Sequence, residues 1–224
     1  MLDPETLGIC PICGGTEFEP GFGGRLDRNG NGPQCANCKS AERHRIINLL
    51  YQKLRPYLAD KRALQFAPEG AVRADWFARF DYSVYGGHNS LDMTATGLDS
   101  GAYDLIISNH VIEHVSSDFA ALRECLRVVG PDGVVHVNAP SPMFRFETVD
   151  WGFADPARNE HYRDYGADMG IHLLQAVPRA HCIAVIGIDP VTTIPDVIYF
   201  FSENRQSLKA LAAPLREVPV VVLA

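Results

Sequence analysis

The sequence predicts an α/β protein in which a doubly wound, mostly parallel seven-stranded sheet follows a small N-terminal metal-binding lobe. Three observations carry this. From about residue 60 onward, short apolar runs alternate with helical patterns, and such alternation implies parallel strands joined by right-handed crossovers. Two CxxC pairs, Cys10/Cys13 and Cys35/Cys38, stand at metal-ligand spacing near the start. Length agrees: 224 residues, 46% hydrophobic and 21% charged, suit one core of ordinary size plus an appendage.

Residues 8–40 carry Gly, Asn, Pro and Cys with little apolar periodicity, so they cannot bury a core and need a staple. A CxxC brings two thiolates to one tetrahedral ion, and the second pair, after residues 14–34, completes four sulfur ligands. Cys10, Cys13, Cys35 and Cys38 are therefore predicted to hold a structural zinc, with no position left open for water. Pro11 and Gly14-Gly15 favour the tight turn, and Lys39 is expected to offset part of the thiolate charge. The lobe is drawn as residues 1–45 and the larger domain as 46–224.

Ser40-Ala-Glu-Arg can start a helix, along which Ile46, Leu49, Leu50 and Leu54 recur at helical spacing until Pro56. Beyond it the pattern reads as strand 62–67, helix 70–80, strand 82–85 and strand 103–108. A helix with Phe119, Leu122, Leu126 and Val129 in its stripe ends at Gly130-Pro131, and strand 133–138 follows. Residues 140–164 look irregular, 165–177 helical, and 181–188 and 196–201 pair as a hairpin across the turn-rich 189–195.

No basic stretch followed by an apolar one opens the chain, and no segment approaches the roughly 20 apolar residues that span a bilayer. Two CxxC pairs plus the isolated Cys125 and Cys182 fit a reducing cytoplasm better than a disulfide scaffold. The net charge of −7 weighs against a broad nucleic-acid surface. Arg43-His44-Arg45 is the local exception; it reads as a solvated face packing the lobe, or as a contact for a phosphate or acidic substrate.

Ala63-Leu-Gln-Phe-Ala-Pro-Glu-Gly70, Tyr103-Asp-Leu-Ile-Ile-Ser-Asn-His-Val-Ile-Glu-His-Val115 and Ala121-Leu-Arg-Glu-Cys-Leu-Arg-Val-Val-Gly-Pro-Asp-Gly133 follow one another in an order that resembles class I S-adenosylmethionine-dependent methyltransferases. The resemblance covers about residues 60–202. Cys35-Ala-Asn-Cys-Lys-Ser-Ala-Glu-Arg-His-Arg45, Phe66-Ala-Pro-Glu69 and Glu160-His-Tyr-Arg-Asp-Tyr-Gly166 look more narrowly like a bacterial methyltransferase-like group with a cysteine-rich N-terminus. It implies a Rossmann-like methyltransferase fold and S-adenosylmethionine as cofactor. Ligands of open parallel sheets bind outside the carboxyl ends of the strands, where Ala67–Gly70, Gly86-Gly87 and Asn109-His110 would converge. On this reading Ala67, Pro68, Glu69 and Gly70 meet the methionyl part, Gly86 and Gly87 close the second strand, Asp92 and Met93 flank adenine, and Asn109 and His110 close the methionine side.

Two departures from the family pattern stand out. The first loop offers Gly70 as its one glycine, and Tyr82-Ser-Val-Tyr-Gly-Gly87 lacks the acid that binds ribose hydroxyls, a loss of about 1.5–3 kcal/mol in affinity. His110, His114 and His161 are the expected proton acceptors for an oxygen or nitrogen nucleophile. Arg163 and Tyr165 are expected at the substrate, in a segment where substrate loops sit. His110-Val-Ile-Glu113-His114 also spells the H-x-x-E-H string of inverted zinc proteases, but a strand running directly into His110 denies it the required helix. The expected function is methyl transfer to a small-molecule or sugar-type acceptor. The rivals are an RNA methyltransferase whose lobe grips RNA, and a non-catalytic binding or scaffold protein that kept the fold.

Overall fold

The computed structural model describes residues 7–140 and 142–224. The reading of the chain start, and the first part of the lobe drawn as 1–45, fall partly on residues 1–6, outside the described residues. In the lobe, a two-stranded ladder pairs β1 (Phe18–Glu19) with β2 (Gln34–Cys35). Helix α1 (Glu42–Leu58) follows and runs through the 45/46 boundary. Its N-cap, Ala41, has no capping side chain; His44, one turn on, accepts from the Ala41 N–H instead at 2.9 Å. The helix also passes Pro56, expected to end it: the ring falls in the final turn, and only two more residues follow.

The main sheet holds β3 (Arg62–Phe66), β4 (Arg79–Ser83), β5 (Leu105–Asn109), β6 (Val134–Asn138), β9 (His181–Ile188), β10 (Pro195–Ser202) and β11 (Val220–Val222), in the order β11-β9-β10-β6-β5-β3-β4. β4, β3, β5 and β6 are parallel neighbours. β10 runs against both β6 and β9, so β9 shares the direction of the parallel set and five of the seven strands point one way. This is the mostly parallel, Rossmann-like sheet predicted. Its seventh strand, β11, was missed, as was α4 (Arg205–Ala212), although Leu208, Leu211 and Leu215 form a buried stripe.

Two apolar layers cover the sheet. α2 (Asp118–Val129) and α3 (Met169–Leu174) pack on one face with Leu64, Ile106, Val135 and Tyr199. α1 and α4 cover the other with Ala63, Ile107, Val134 and Phe200. A Cβ at Gly187 would collide with Ile46, so this glycine lets α1 lie directly on β9.

The helix expected over 70–80 is absent. Ala71, Val72, Trp76 and Phe77 are its buried residues, and that pairing of neighbours does not fit a helical stripe. Gly70 is left-handed at φ 73°, a short 3₁₀ turn spans Ala74–Trp76, and β4 then begins earlier than the strand predicted at 82–85. The region read as irregular contains an antiparallel pair, β7 (Val149–Asp155) and β8 (His161–Asp164), and the helix expected over 165–177 shortens to α3.

Candidate functional site

The four cysteines of the lobe come together. Gly14 N–H donates to the Cys10 carbonyl and Lys39 N–H to that of Cys35, at 2.8 and 2.9 Å, and both residues are left-handed (φ 74° and 59°), so the two knuckles repeat one geometry. One sulfur from each cysteine lies within 4.8 Å of the others, with Cys10–Cys38 at 3.6 Å and Cys13–Cys35 at 3.5 Å. Tetrahedral bonds of about 2.3 Å to one ion would space sulfurs by roughly 3.8 Å, so the cluster is compatible with zinc. Desolvation opposes ionisation of Cys13, yet hydrogen bonds from Gly15 N–H and from the Cys38, Asn37 and Cys35 side chains bring its thiol down to about 6. Ser40, expected to open the helix, instead stands 3.3 and 3.2 Å from the Cys10 and Cys38 sulfurs. Lys39 pairs with Glu19 at 2.8 Å rather than with the thiolates.

Arg43, His44 and Arg45 each find a protein partner, contrary to the solvated face expected. Arg45 is wholly buried and forks onto Asp189 at 2.7 and 2.8 Å, while its third nitrogen donates to the Ser40 carbonyl. Arg43 and His44 converge on Glu69 Oε2, at 3.0 and 2.6 Å.

Beside this junction, at the carboxyl ends of β3, β4 and β5, opens a cleft of about 410 Å³, within the size range of ligand sites. Phe66 and Ala67 leave β3 into it, Ser83 and Tyr85 come from β4, His110, Val111 and His114 follow β5, Leu91–Thr94 form a wall, and Tyr162 of β8 closes the far side. Ala67 and His110 are both left-handed, at φ 45° and 52°, and their N–H groups are held by Ser83 and Asn138 carbonyls at 2.9 Å. Non-glycine residues in that conformation are costly and cluster where ligands bind. The first loop thus turns sharply at Ala67, where a glycine would be easier.

Of the residues expected at the cofactor, Ala67, Asp92, Met93 and His110 line the cleft. Gly86 and Gly87 instead build a tight turn, in which Gly87 N–H donates to the Val84 carbonyl at 2.8 Å. Pro68, Glu69, Gly70 and Asn109 are not among the lining residues, yet Glu69 and Asn109 bring buried polar atoms beside it: Glu69 Oε1 and both ends of the Asn109 amide have no protein partner. Tyr85 and Tyr162 were missed. Tyr162 lay inside a quoted motif, but strand alternation sends it to the cleft and its neighbour Arg163 inward.

Arg163 and Tyr165, expected at the substrate, are interior braces. Arg163 donates to Asp150 at 2.7 Å and to the carbonyls of Ile112, Val115 and Ser116, tying the β7–β8 pair to the turn after β5. Tyr165 donates to Asp118 at 2.9 Å, on the oxygen that also meets His172.

The three expected bases differ. Burial drives His110 down to about 3, so it is neutral at ordinary pH and a weak proton acceptor. Burial also lowers the half-exposed His114, with the nearby His161 as a lesser cause. The His114 and His161 rings meet edge to face at 4.7 Å. Between His110 and His114 lies Glu113, 1% exposed, pushed up to about 8 by burial. His110 and His114 belong to no common helix: after the left-handed His110 a 3₁₀ turn spans Ile112–His114.

Residues 71–137 match the family model described as a methyltransferase domain. No curated protein matches the chain. Among solved structures it is similar to a Thermotoga maritima S-adenosylmethionine-dependent methyltransferase, at 11% identity and TM-score 0.44, over 72% of this chain and 91% of that one. It is also similar to the CurJ carbon methyltransferase, at 13% identity and TM-score 0.48, over 73% of this chain and 55% of that one. A third is Haemonchus contortus phosphoethanolamine N-methyltransferase 1 in complex with phosphoethanolamine and S-adenosylhomocysteine, at 13% identity and TM-score 0.45, over 77% of this chain and 47% of that one. The chain spans about half the length of the last two. These are likenesses of overall chain path. The resemblance to class I S-adenosylmethionine-dependent methyltransferases is borne out by the matched segment, which runs from the turn after β3 through β6 and so contains most of the cleft wall.

Proposed function

We propose that this chain transfers a methyl group from S-adenosylmethionine to a small-molecule acceptor, in a reducing cytoplasm, with a zinc ion stapling the four-cysteine lobe. The observation that carries the reading is the cleft itself: it lies at the carboxyl ends of parallel strands, most of its wall falls in the methyltransferase-matched segment, and it is rimmed by left-handed Ala67 and His110. Its size and the unpartnered atoms beside it fit the cofactor. The backbone amide of Gly70, after the turn at Ala67 and Pro68, would face the methionyl carboxylate, and Glu69 Oε1, free of Arg43 and His44, would receive the ammonium. Asn109 would supply its amide to the same end, and Asp92 and Met93 would hold adenine, with Gly86 and Gly87 shaping the wall behind Tyr85.

When bound, the cofactor supplies an electrophilic methyl on a sulfonium. The chain's own work is to orient the acceptor in line and to exclude water. Tyr162 and His114 stand at the far side of the cleft, where the acceptor would enter, with His161 packed on His114, and these imidazoles would take the proton that a hydroxyl or amine acceptor gives up. Neutral His110 orients; Arg163 and Tyr165 fix the loop that carries His114.

Calorimetric titration with S-adenosylmethionine and S-adenosylhomocysteine tests this. Saturable heat and a thermal shift are expected; neither at millimolar ligand would sink the reading. A second reading, a scaffold that kept the fold, has one observation in its favour: Asp92 is the sole carboxylate among the described lining residues, and none comes from the end of β4. The RNA reading predicts binding that weakens steeply with salt.

A further inference from the structure

The lobe is not the only gathering of ligand atoms. One ligand atom each from Glu113, His114 and His161 lies within 4.8 Å of the others. Glu113 is enclosed, and both its oxygens lack a protein hydrogen-bond partner. A buried carboxyl without a hydrogen-bonding side-chain partner is costly to ionise, and a cation beside it would offset that cost. His114 Nε2 stands 3.9 Å from Glu113 Oε1, too far for a hydrogen bond. Bonds of about 2.0–2.2 Å from both to one ion between them would space the ligand atoms by roughly 3–3.5 Å, within a small side-chain adjustment of what is found.

The surroundings are those of ligands held in place from behind. His114 hydrogen-bonds the Glu160 carbonyl, and His161 Nδ1 lies 3.6 Å from Asp164 Oδ1. A hydrogen bond like that of His114 orients a metal-binding imidazole, whereas the His161–Asp164 approach is a charge contact and not a hydrogen bond. His114 also lines the cleft, so coordination positions not filled by protein would face it. We infer that Glu113, His114 and His161 form a second metal site that takes a divalent transition ion of the zinc, cobalt or iron kind. One carboxylate with two imidazoles favours such ions over magnesium or calcium, which prefer all-oxygen shells. The H-x-x-E-H string thereby contributes its carboxylate and its second imidazole, while the partner imidazole comes from β8 instead of His110. With an ion seated, His114 and His161 act as ligands rather than bases. The inference concerns these ligand atoms alone and does not rest on methyl transfer.

The test uses the full chain without a histidine tag, stripped by chelator and titrated with Co²⁺, in wild type, His161→Ala and Glu113→Gln. Elemental analysis counts bound cobalt, and the thiolate-to-cobalt absorption reports the cysteine cluster separately. Wild type should take up an equivalent that this absorption does not account for. His161→Ala, a change at a partly exposed position, should lose that equivalent and keep the thiolate absorption; Glu113→Gln should do the same. If all cobalt in wild type is accounted for by thiolate absorption, or if both variants retain the extra equivalent, the inference falls. Should Glu113→Gln fail to fold, His161→Ala decides alone.

Discussion

The lobe junction and the cleft lie at the same edge of one sheet, and they bury polar groups in opposite ways. At the junction Arg45 and Asp189, both fully enclosed, satisfy each other twice, and Thr192 and the Ser40 carbonyl take up the remaining valences. Beside the cleft, Glu113, Asn109 and Glu69 Oε1 are left without protein partners, as are Gln65 Nε2, His136 Nε2 and Asn138 Oδ1 within the sheet. Buried groups in folded chains are nearly always paired, so a concentration of exceptions marks where something other than protein completes the set. The difference teaches that burial alone does not separate structural from functional charge; pairing does.

The sharpest way to break the comparison is at the staple. Removing metal from Cys10, Cys13, Cys35 and Cys38 should cost most, since structural zinc in small lobes contributes on the order of 10–16 kcal/mol. Hydrogen exchange should show residues 8–40 losing protection before the sheet; unchanged protection in the lobe would refute the staple. Next, Arg45→Ala strands Asp189 in the interior and should cost about 3–5 kcal/mol in urea unfolding, while Arg45→Met with Asp189→Leu should regain most of it. A loss below about 1 kcal/mol would show that the clamp matters little.

A third prediction concerns His136, buried on β6 with its Nδ1 2.7 Å from Tyr51 Oη and driven by burial from 6.5 to about 3. The unfolded chain then binds more protons across that interval. Stability is intact above pH 6.5 and drains as pH falls toward 3, by on the order of 3 kcal/mol near pH 4. His136→Gln should flatten this slope; an unaltered slope would assign it elsewhere, for instance to His110. The smallest stability effect belongs to the cleft. Asn109→Leu removes two unpartnered polar atoms and should change unfolding free energy by under about 1 kcal/mol, yet weaken S-adenosylmethionine roughly tenfold or more in calorimetry. Large destabilisation with unchanged binding would invert the comparison.

The periodic elements were legible because their burial follows their period. α2 shows the predicted stripe from a Ser117 cap to Gly130, and β5 and β6 are the continuously buried, largely apolar runs of doubly covered strands. The connection from β3 to β4 was not, since Ala71, Val72, Trp76 and Phe77 are apolar without a helical face. Within the cleft, Ala67 and His110 could be named from strand ends, and Asp92 and Met93 from the family resemblance. Tyr85 and Tyr162 could not, because aromatic residues in turns and short hairpins carry no periodic signal. Arg163 and Tyr165 were misplaced for a related reason: a polar, irregular-looking stretch was read as substrate loop, whereas β8 turns those side chains into the interior.

The β7–β8 pair has a consequence for how this protein could diversify. It delivers Tyr162 to the cleft and sets His161 against His114, yet it lies outside the main sheet and is fastened to the turn after β5 largely through the single guanidinium of Arg163. A replacement hairpin of different length that kept one arginine at that position would bring a new wall without disturbing β3 or β5. That wall is then a cartridge, exchangeable between descendants of one scaffold at little cost to folding.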